Sequence, residues 1–206
     1  MTKIDQLELH EFQFEATNLG LSANTNSIGG LSYEKGAKTP ITKYAVEIFT
    51  EDGCKGSYVV NWGASPSVFG QMQMLAPMLI GCEAEERIGI FENLKREARQ
   101  FDHMGHGPLD IALWDWQGHA LNCSVSTLLG GHRKSLPAYA STYHGDRSGG
   151  LDSKEAFGEF ALQCKEMGYK AFKIHGWHEG NAKEEAELVL HVRKVVGEDM
   201  ALMLDP

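Results

Sequence analysis

A chain of 206 residues, 42% of them hydrophobic, is long enough for one large domain or two modest ones with buried cores. Its formal net charge of -9 argues against a nucleic-acid binder, because phosphate contact needs clustered Lys and Arg. No run reaches the roughly 20 apolar residues of a membrane span, and the amino terminus lacks the apolar core of a signal peptide. The four scattered cysteines (Cys54, Cys82, Cys123, Cys164) include no Cys-x-x-Cys, so a soluble cytoplasmic protein with free thiols is expected.

In chain order, loose alternation of Ile4, Leu7, Leu9, Phe12 and Phe14 predicts a first strand over residues 4–16. Residues 18–38, rich in Gly, Ser and Asn, read as a long loop, either a functional lid or disordered. Residues 39–50 are a clearer strand, and Asp52-Gly53 predicts a hairpin returning through residues 55–60. Asn61-Trp62-Gly63 then falls at a loop tip. Helices follow. Ser65-Pro66 starts one that carries Val68, Met72 and Leu75 on a single face. A second is expected over residues 83–99 with the stripe Ile88, Phe91, Leu94 and Ala98. A third begins near Pro108, with Leu109, Ala112, Leu113, Trp116 and Ala120 facing inward. Sheet first and helices after make residues 1–130 an α+β domain.

Past Gly130-Gly131 the rhythm changes. Residues 136–142 read as a strand, and Asp152 with Glu155 three residues on reads as the capped start of a helix. That helix carries Phe157, Phe160, Ala161 and Cys164 and ends at Gly168. The apolar run closing on Lys173-Ile-His175 is a short strand; residues two apart share a face, so Lys173 and His175 point the same way. Asn181 caps a helix that Gly197 stops, and Met200-Ala-Leu-Met-Leu204 is a last strand ending at Asp205. The β-α-β-α-β order means a parallel sheet, either a barrel or a doubly wound sheet. No Gly-x-Gly-x-x-Gly follows the first strand of this half, which removes the main support for a dinucleotide site.

An amine, an imidazole and a carboxylate on the ends of neighbouring strands point to metal-assisted proton transfer. A Lys on an apolar strand is costly to bury unpaired, so Lys173 reads as functional. Imidazole titrates near pH ~6.5 and suits His175 to general-base work. The bland alternatives are a core His bonded to a carbonyl and, for Asp205-Pro206, a plain turn. The pairs His103/His106 and His175/His178 lack a third zinc ligand at helical or hairpin spacing. Residues 184–187, rich in Glu, read as the solvated first turn of a helix.

Leu109-Asp-Ile-Ala-Leu-Trp-Asp115, continuing to Leu128-Leu-Gly-Gly131, resembles the junction between capping domain and barrel in the enolase superfamily, in its mandelate racemase and muconate lactonizing branch. The resemblance implies a capping domain over residues 1–130. Residues 131–206 would then be the first three strands of a (β/α)8 TIM-type barrel with its chemistry at the carboxyl ends of the strands. It implies abstraction of the proton α to a carboxylate, with Mg2+ as cofactor and Asp205 as the first of three carboxylate ligands. His175 stands where many members carry a second Lys, so it reads as base or acid, with Lys173 as electrostatic partner of the substrate carboxylate. Tyr33 and Trp62 would sit in the loops that close over the substrate, and His144 would line the pocket. Trp114, Asp115 and Trp116 would form the domain interface. The expected partner is a small-molecule carboxylate, an acid sugar dehydrated to a 2-keto-3-deoxy acid; a homo-oligomer is expected. The alternatives are a racemase, epimerase or cycloisomerase on the same chemistry, or a non-catalytic truncated homologue. Three strands cannot close an eight-stranded barrel, so a longer chain is expected.

Overall fold

The computed structural model describes residues 1–21, 31–61, 65–145, 147, 150–177 and 180–205. Strand β1 (Ile4–Leu21) pairs with β2 (Leu31–Thr50), and both are longer than apolar alternation predicts. Most of the stretch read as a loop over residues 18–38 is therefore strand, apart from residues 22–30, which lie outside the described residues. Polar cross-strand contacts substitute here for an apolar face. Asn18 Oδ1 accepts the Gly36 N–H at 2.9 Å, the Thr39 hydroxyl donates to the Leu19 carbonyl at 2.6 Å, and Lys38 Nζ meets Glu15 at 2.8 Å. Composition hid these strands because their stabilising contacts are not hydrophobic.

The hairpin to β3 (Lys55–Val59) follows expectation. Ala45 to Phe49 runs antiparallel to Val59 to Lys55, and Gly53 takes φ 81° in the turn, donating to the Thr50 carbonyl at 2.8 Å. Val46 and Ile48, two apart on β2, are fully buried. Three helices pack in the same core: α1 (Ser65–Leu75), α2 (Arg87–Glu97) and α3 (His106–Ala120). Trp116, expected at a domain interface, lies instead in this core, 2% exposed, its indole N–H bonded to Thr50 Oγ1 at 2.9 Å. Helix α3 runs so close to β3 that a side chain on Gly56 would collide with the Ala112 carbonyl and the Trp116 amide.

Helix α2 starts at Arg87, not at Glu83. Residues 81–84 are drawn out of the helix by pairing with the chain start: the Ile4 N–H bonds the Cys82 carbonyl and the Ala84 N–H bonds the Thr2 carbonyl, both at 2.9 Å. Its inward face is Ile90 and Leu94; Ile88, expected in the stripe, is 72% exposed. A short α4 (Val125–Leu128) follows, capped by the Ser124 side chain.

The second half forms a three-stranded parallel sheet in the order β4 (Ala140–Ser141), β6 (Ala171–His175), β7 (Ala201–Asp205). Helices α5 (Lys154–Glu166) and α6 (Ala182–Val196) connect them. The strand expected over residues 136–142 contracts to Ala140–Ser141, since Pro137 has no N–H to give a ladder and Leu136 is exposed. The cap of α5 is Ser153, whose hydroxyl accepts the Ala156 N–H, and not Asp152. Asn181 and Gly197 close α6 as expected, the latter with φ 74°. Phe157, Ala161, Phe172, Ile174, Leu188, Val192 and Val196 form a second core. A two-residue strand β5 (His144–Gly145) pairs in parallel with Ser32 and Tyr33 of β2.

By contacts the chain divides into two compact units. One comprises Met1–Phe14 and Thr42–Lys134, the other Glu15–Ile41 and Ser135–Pro206. Among the described residues no helix is long and apolar enough to cross a membrane.

Candidate active site

The parallel register sets the geometry. His175 pairs with Asp205 and Lys173 with Met203 across β6 and β7, so Lys173, His175, Met203 and Asp205 project from one face of the sheet. The alternate residues Phe172 and Ile174 are fully buried in the second core, which anchors β6 and fixes the direction of the polar pair. Both polar side chains converge on one atom. Lys173 Nζ donates to Asp205 Oδ2 at 2.8 Å, and His175 Nε2 lies 3.0 Å from the same oxygen. Lys173 and His175 have 21% of their side chains exposed and Asp205 48%, an accessible site with sheltered bases.

The hydrogen bond from Lys173, then the charge of His175, hold the Asp205 carboxyl below the usual carboxylate range. The same bond to Asp205 raises the Lys173 ammonium above its ordinary value, against the opposing effect of partial burial. Lys173 also lies 5.5 Å from the centre of the Tyr139 ring. The backbone under the imidazole is pinned as well: Thr142, itself buried, accepts the His175 N–H on Oγ1 at 3.3 Å. His175 Nδ1 is buried and has no hydrogen-bond partner among the described residues.

His144 joins this group, its ring centre 5.2 Å from that of His175. Tyr33 is placed differently. Its ring packs against the second core, 6.3 Å from Phe160, and lies over the backbone of Gly150. Trp62 lies outside the described residues, as does His178. His106 is buried against Phe91, which accounts for it structurally.

Sequence reasoning passed over Thr142, Tyr139, Trp177 and Glu185. The alternation Tyr139-x-Ser141 could have drawn attention to the first strand, because Ser141 is register partner of Lys173. The acidic run beginning at Glu184 is more than a solvated turn. Glu184 pairs with Arg147, Glu187 lies 3.7 Å from Lys154, and Glu185 accepts the Trp177 backbone N–H at 2.9 Å.

Asp205 fits a hard divalent cation as one oxygen ligand. Mg2+ takes about six oxygens, and among the described residues no further carboxylate stands with Asp205 in a group of three ligands. The described group of that size is Glu8, His10 and Glu47 on β1 and β2. His10 Nε2 is 3.3 Å from both carboxylates, and Lys55 Nζ, 2.6 Å from Glu47, already neutralises one of them. That group reads as a partly exposed cross-strand ion-pair cluster.

Residues 38–130 match the family model described as mandelate racemase / muconate lactonizing enzyme, N-terminal domain. The chain is 28% identical over 177 residues to an arabinonate dehydratase of Saccharolobus solfataricus, covering 82% of this chain and 46% of that protein. It is 31% identical over 175 residues to a D-galactarolactone cycloisomerase of Agrobacterium fabrum, covering 78% and 43%. A D-glucarate dehydratase from Agrobacterium tumefaciens, solved with magnesium, superposes with a TM-score of 0.82 at 26% identity, covering 98% of this chain and 53% of that one. The chain thus spans about half the length of the relatives it matches.

Proposed function

The chain belongs to the enolase superfamily, in its mandelate racemase and muconate lactonizing branch, and from that premise we propose that it carries proton-transfer residues of an acid-sugar dehydratase. In this reading residues 1–130 are the capping domain and residues 131–206 begin a (β/α)8 barrel. The observation that supports it most is the convergence of Lys173 and His175 on Asp205 at the carboxyl ends of two parallel strands.

His175 takes the α-proton of the substrate at Nε2, and the carboxylate 3.0 Å away stabilises the imidazolium that results. Lys173 binds the substrate carboxylate through an ammonium that remains charged across the neutral range, because its partner holds its pKa up. Loss of the β-hydroxyl as water, carrying the proton His175 holds, leaves an enol that becomes the 2-keto-3-deoxy acid. Bound Mg2+ would be held in part by Asp205 and would supply electrostatic stabilisation of the charge developing on the substrate carboxylate. His144, beside His175, lines the same site, and Trp62 is a proposed closing residue.

A cycloisomerase or racemase would share the first proton abstraction, and the Agrobacterium fabrum relative keeps that reading open. The experiment is a panel of acid sugars incubated with full-length protein and Mg2+ in D2O. Dehydration gives a 2-keto-3-deoxy acid. Deuterium at Cα without loss of water would favour an isomerase, and no exchange with any acid sugar would overturn the proposal.

A further inference from the structure

Helix α6 turns one of its first residues back under the end of β6. Glu185 Oε1 accepts the Trp177 N–H at 2.9 Å, while Oε2 is buried with no hydrogen-bond partner among the described residues. The carboxylate fills the space that a side chain at Gly176 would need. A buried acceptor left unpaired costs free energy and calls for an explanation in the surrounding contacts.

Those contacts run to the two histidines. Gly176 and Trp177 directly follow His175. The Gly176 carbonyl accepts the N–H of Gly145, which directly follows His144, at 3.0 Å. The Trp177 indole N–H donates to the Leu151 carbonyl at 2.9 Å, and its ring stands edge-on to Phe157 at 5.5 Å. The Arg147 guanidinium covers that ring at 3.8 Å from its centre. Both histidine-bearing segments are therefore fastened at Gly176-Trp177, and the Glu185 carboxylate lies against that junction.

We propose that Glu185 is a positioning residue that sets the stance of the His175 imidazole against Asp205 and His144 by holding Gly176 and Trp177. Its importance for turnover rests on the reading of His175 as the proton-transfer group; its positional role does not.

The test compares Glu185→Ala with Glu185→Gln in the full-length protein at one fixed pH. Glutamine keeps an acceptor oxygen and the volume but removes the charge. Alanine is expected to move the His175 and His144 ring NMR signals and to speed exchange of the Trp177 amide about tenfold. The indole signal of Trp116 in the other core is expected to stay in place. Glutamine is expected to restore all three probes. With an active substrate, kcat falls on the order of tenfold in the alanine variant with KM little changed, and glutamine recovers it. Unmoved histidine signals in the alanine variant, or a glutamine variant indistinguishable from alanine, would overturn the proposal. If the alanine variant does not fold, the glutamine variant decides alone: native histidine signals support the proposal and displaced ones overturn it. Displaced signals with unchanged turnover would count against His175 as the base and leave the positional role standing.

Discussion

Two clusters in this molecule use the same ingredients to different ends. On the antiparallel strands His10 stands between Glu8 and Glu47, with Lys55 on the other side of Glu47. On the parallel strands Lys173 and His175 share the single carboxylate of Asp205. With neutral imidazoles the first cluster carries two negative charges and one positive, and the second is balanced. An anionic substrate is repelled by the first and can be received by the second, which becomes cationic once His175 takes a proton. Backing differs too. His10 lies mid-strand with 42% of its side chain exposed, whereas His175 ends a strand whose alternate residues are buried, and its own amide is bonded to a buried threonine. Chemical content does not distinguish the clusters; position in the fold does.

The largest expected effect lies in turnover. Lys173→Ala and His175→Asn should each lower kcat/KM by roughly 10²–10⁴-fold while far-UV circular dichroism stays native, and His10→Ala should leave turnover unchanged. Equal losses in all three would erase the distinction between the clusters. In stability the antiparallel region has one point that leaves no room for added volume. Gly56→Ala drives a side chain into the α3 backbone and should cost at least about 1–3 kcal/mol in urea unfolding.

A smaller effect concerns pH. The depressed Asp205 pKa contributes stability that is present above the ordinary carboxyl value of 3.8 and disappears as pH falls through the lower native value. The raised Lys173 pKa contributes stability that is present below the ordinary value of 10.5 and disappears as pH rises through the higher native value. The stability difference between wild type and Asp205→Asn should therefore shrink toward both pH extremes. A difference that grows in acid would contradict the pairing. Smallest of all, His10→Ala should alter stability by under about 1 kcal/mol, and less still in high salt, because its contacts are partly exposed.

Much of this was legible from residue order, and the reasons are local. Period-two alternation put Lys173 and His175 on one face, and Asn181 and Gly197 bounded α6 by their chemistry. The turn at Gly53 was as plain. What escaped was whatever depended on distant partners. Strands β1 and β2 are tied by Glu15, which fell in the expected first strand, and by Asn18 and Lys38, polar residues that read as loop. Helix α2 lost its expected first turn to pairing with Thr2 and Ile4. Glu185 looked like one more solvated acid, because nothing in the order of residues says that a glycine nine positions earlier makes room for it.

The short parallel pairing of Ser32 and Tyr33 with His144 and Gly145 has a consequence for how such a protein can change over time. Successive side chains of a strand face opposite ways, so inserting or deleting a single residue in that arm would reverse its inner and outer sides and break step with His144. Leu31 and Ser32 are buried in that arm, and its length near Leu31–Tyr33 is tied to the segment that carries His144. Change in this arm should therefore come by exchanging side chains, with its spacing held constant.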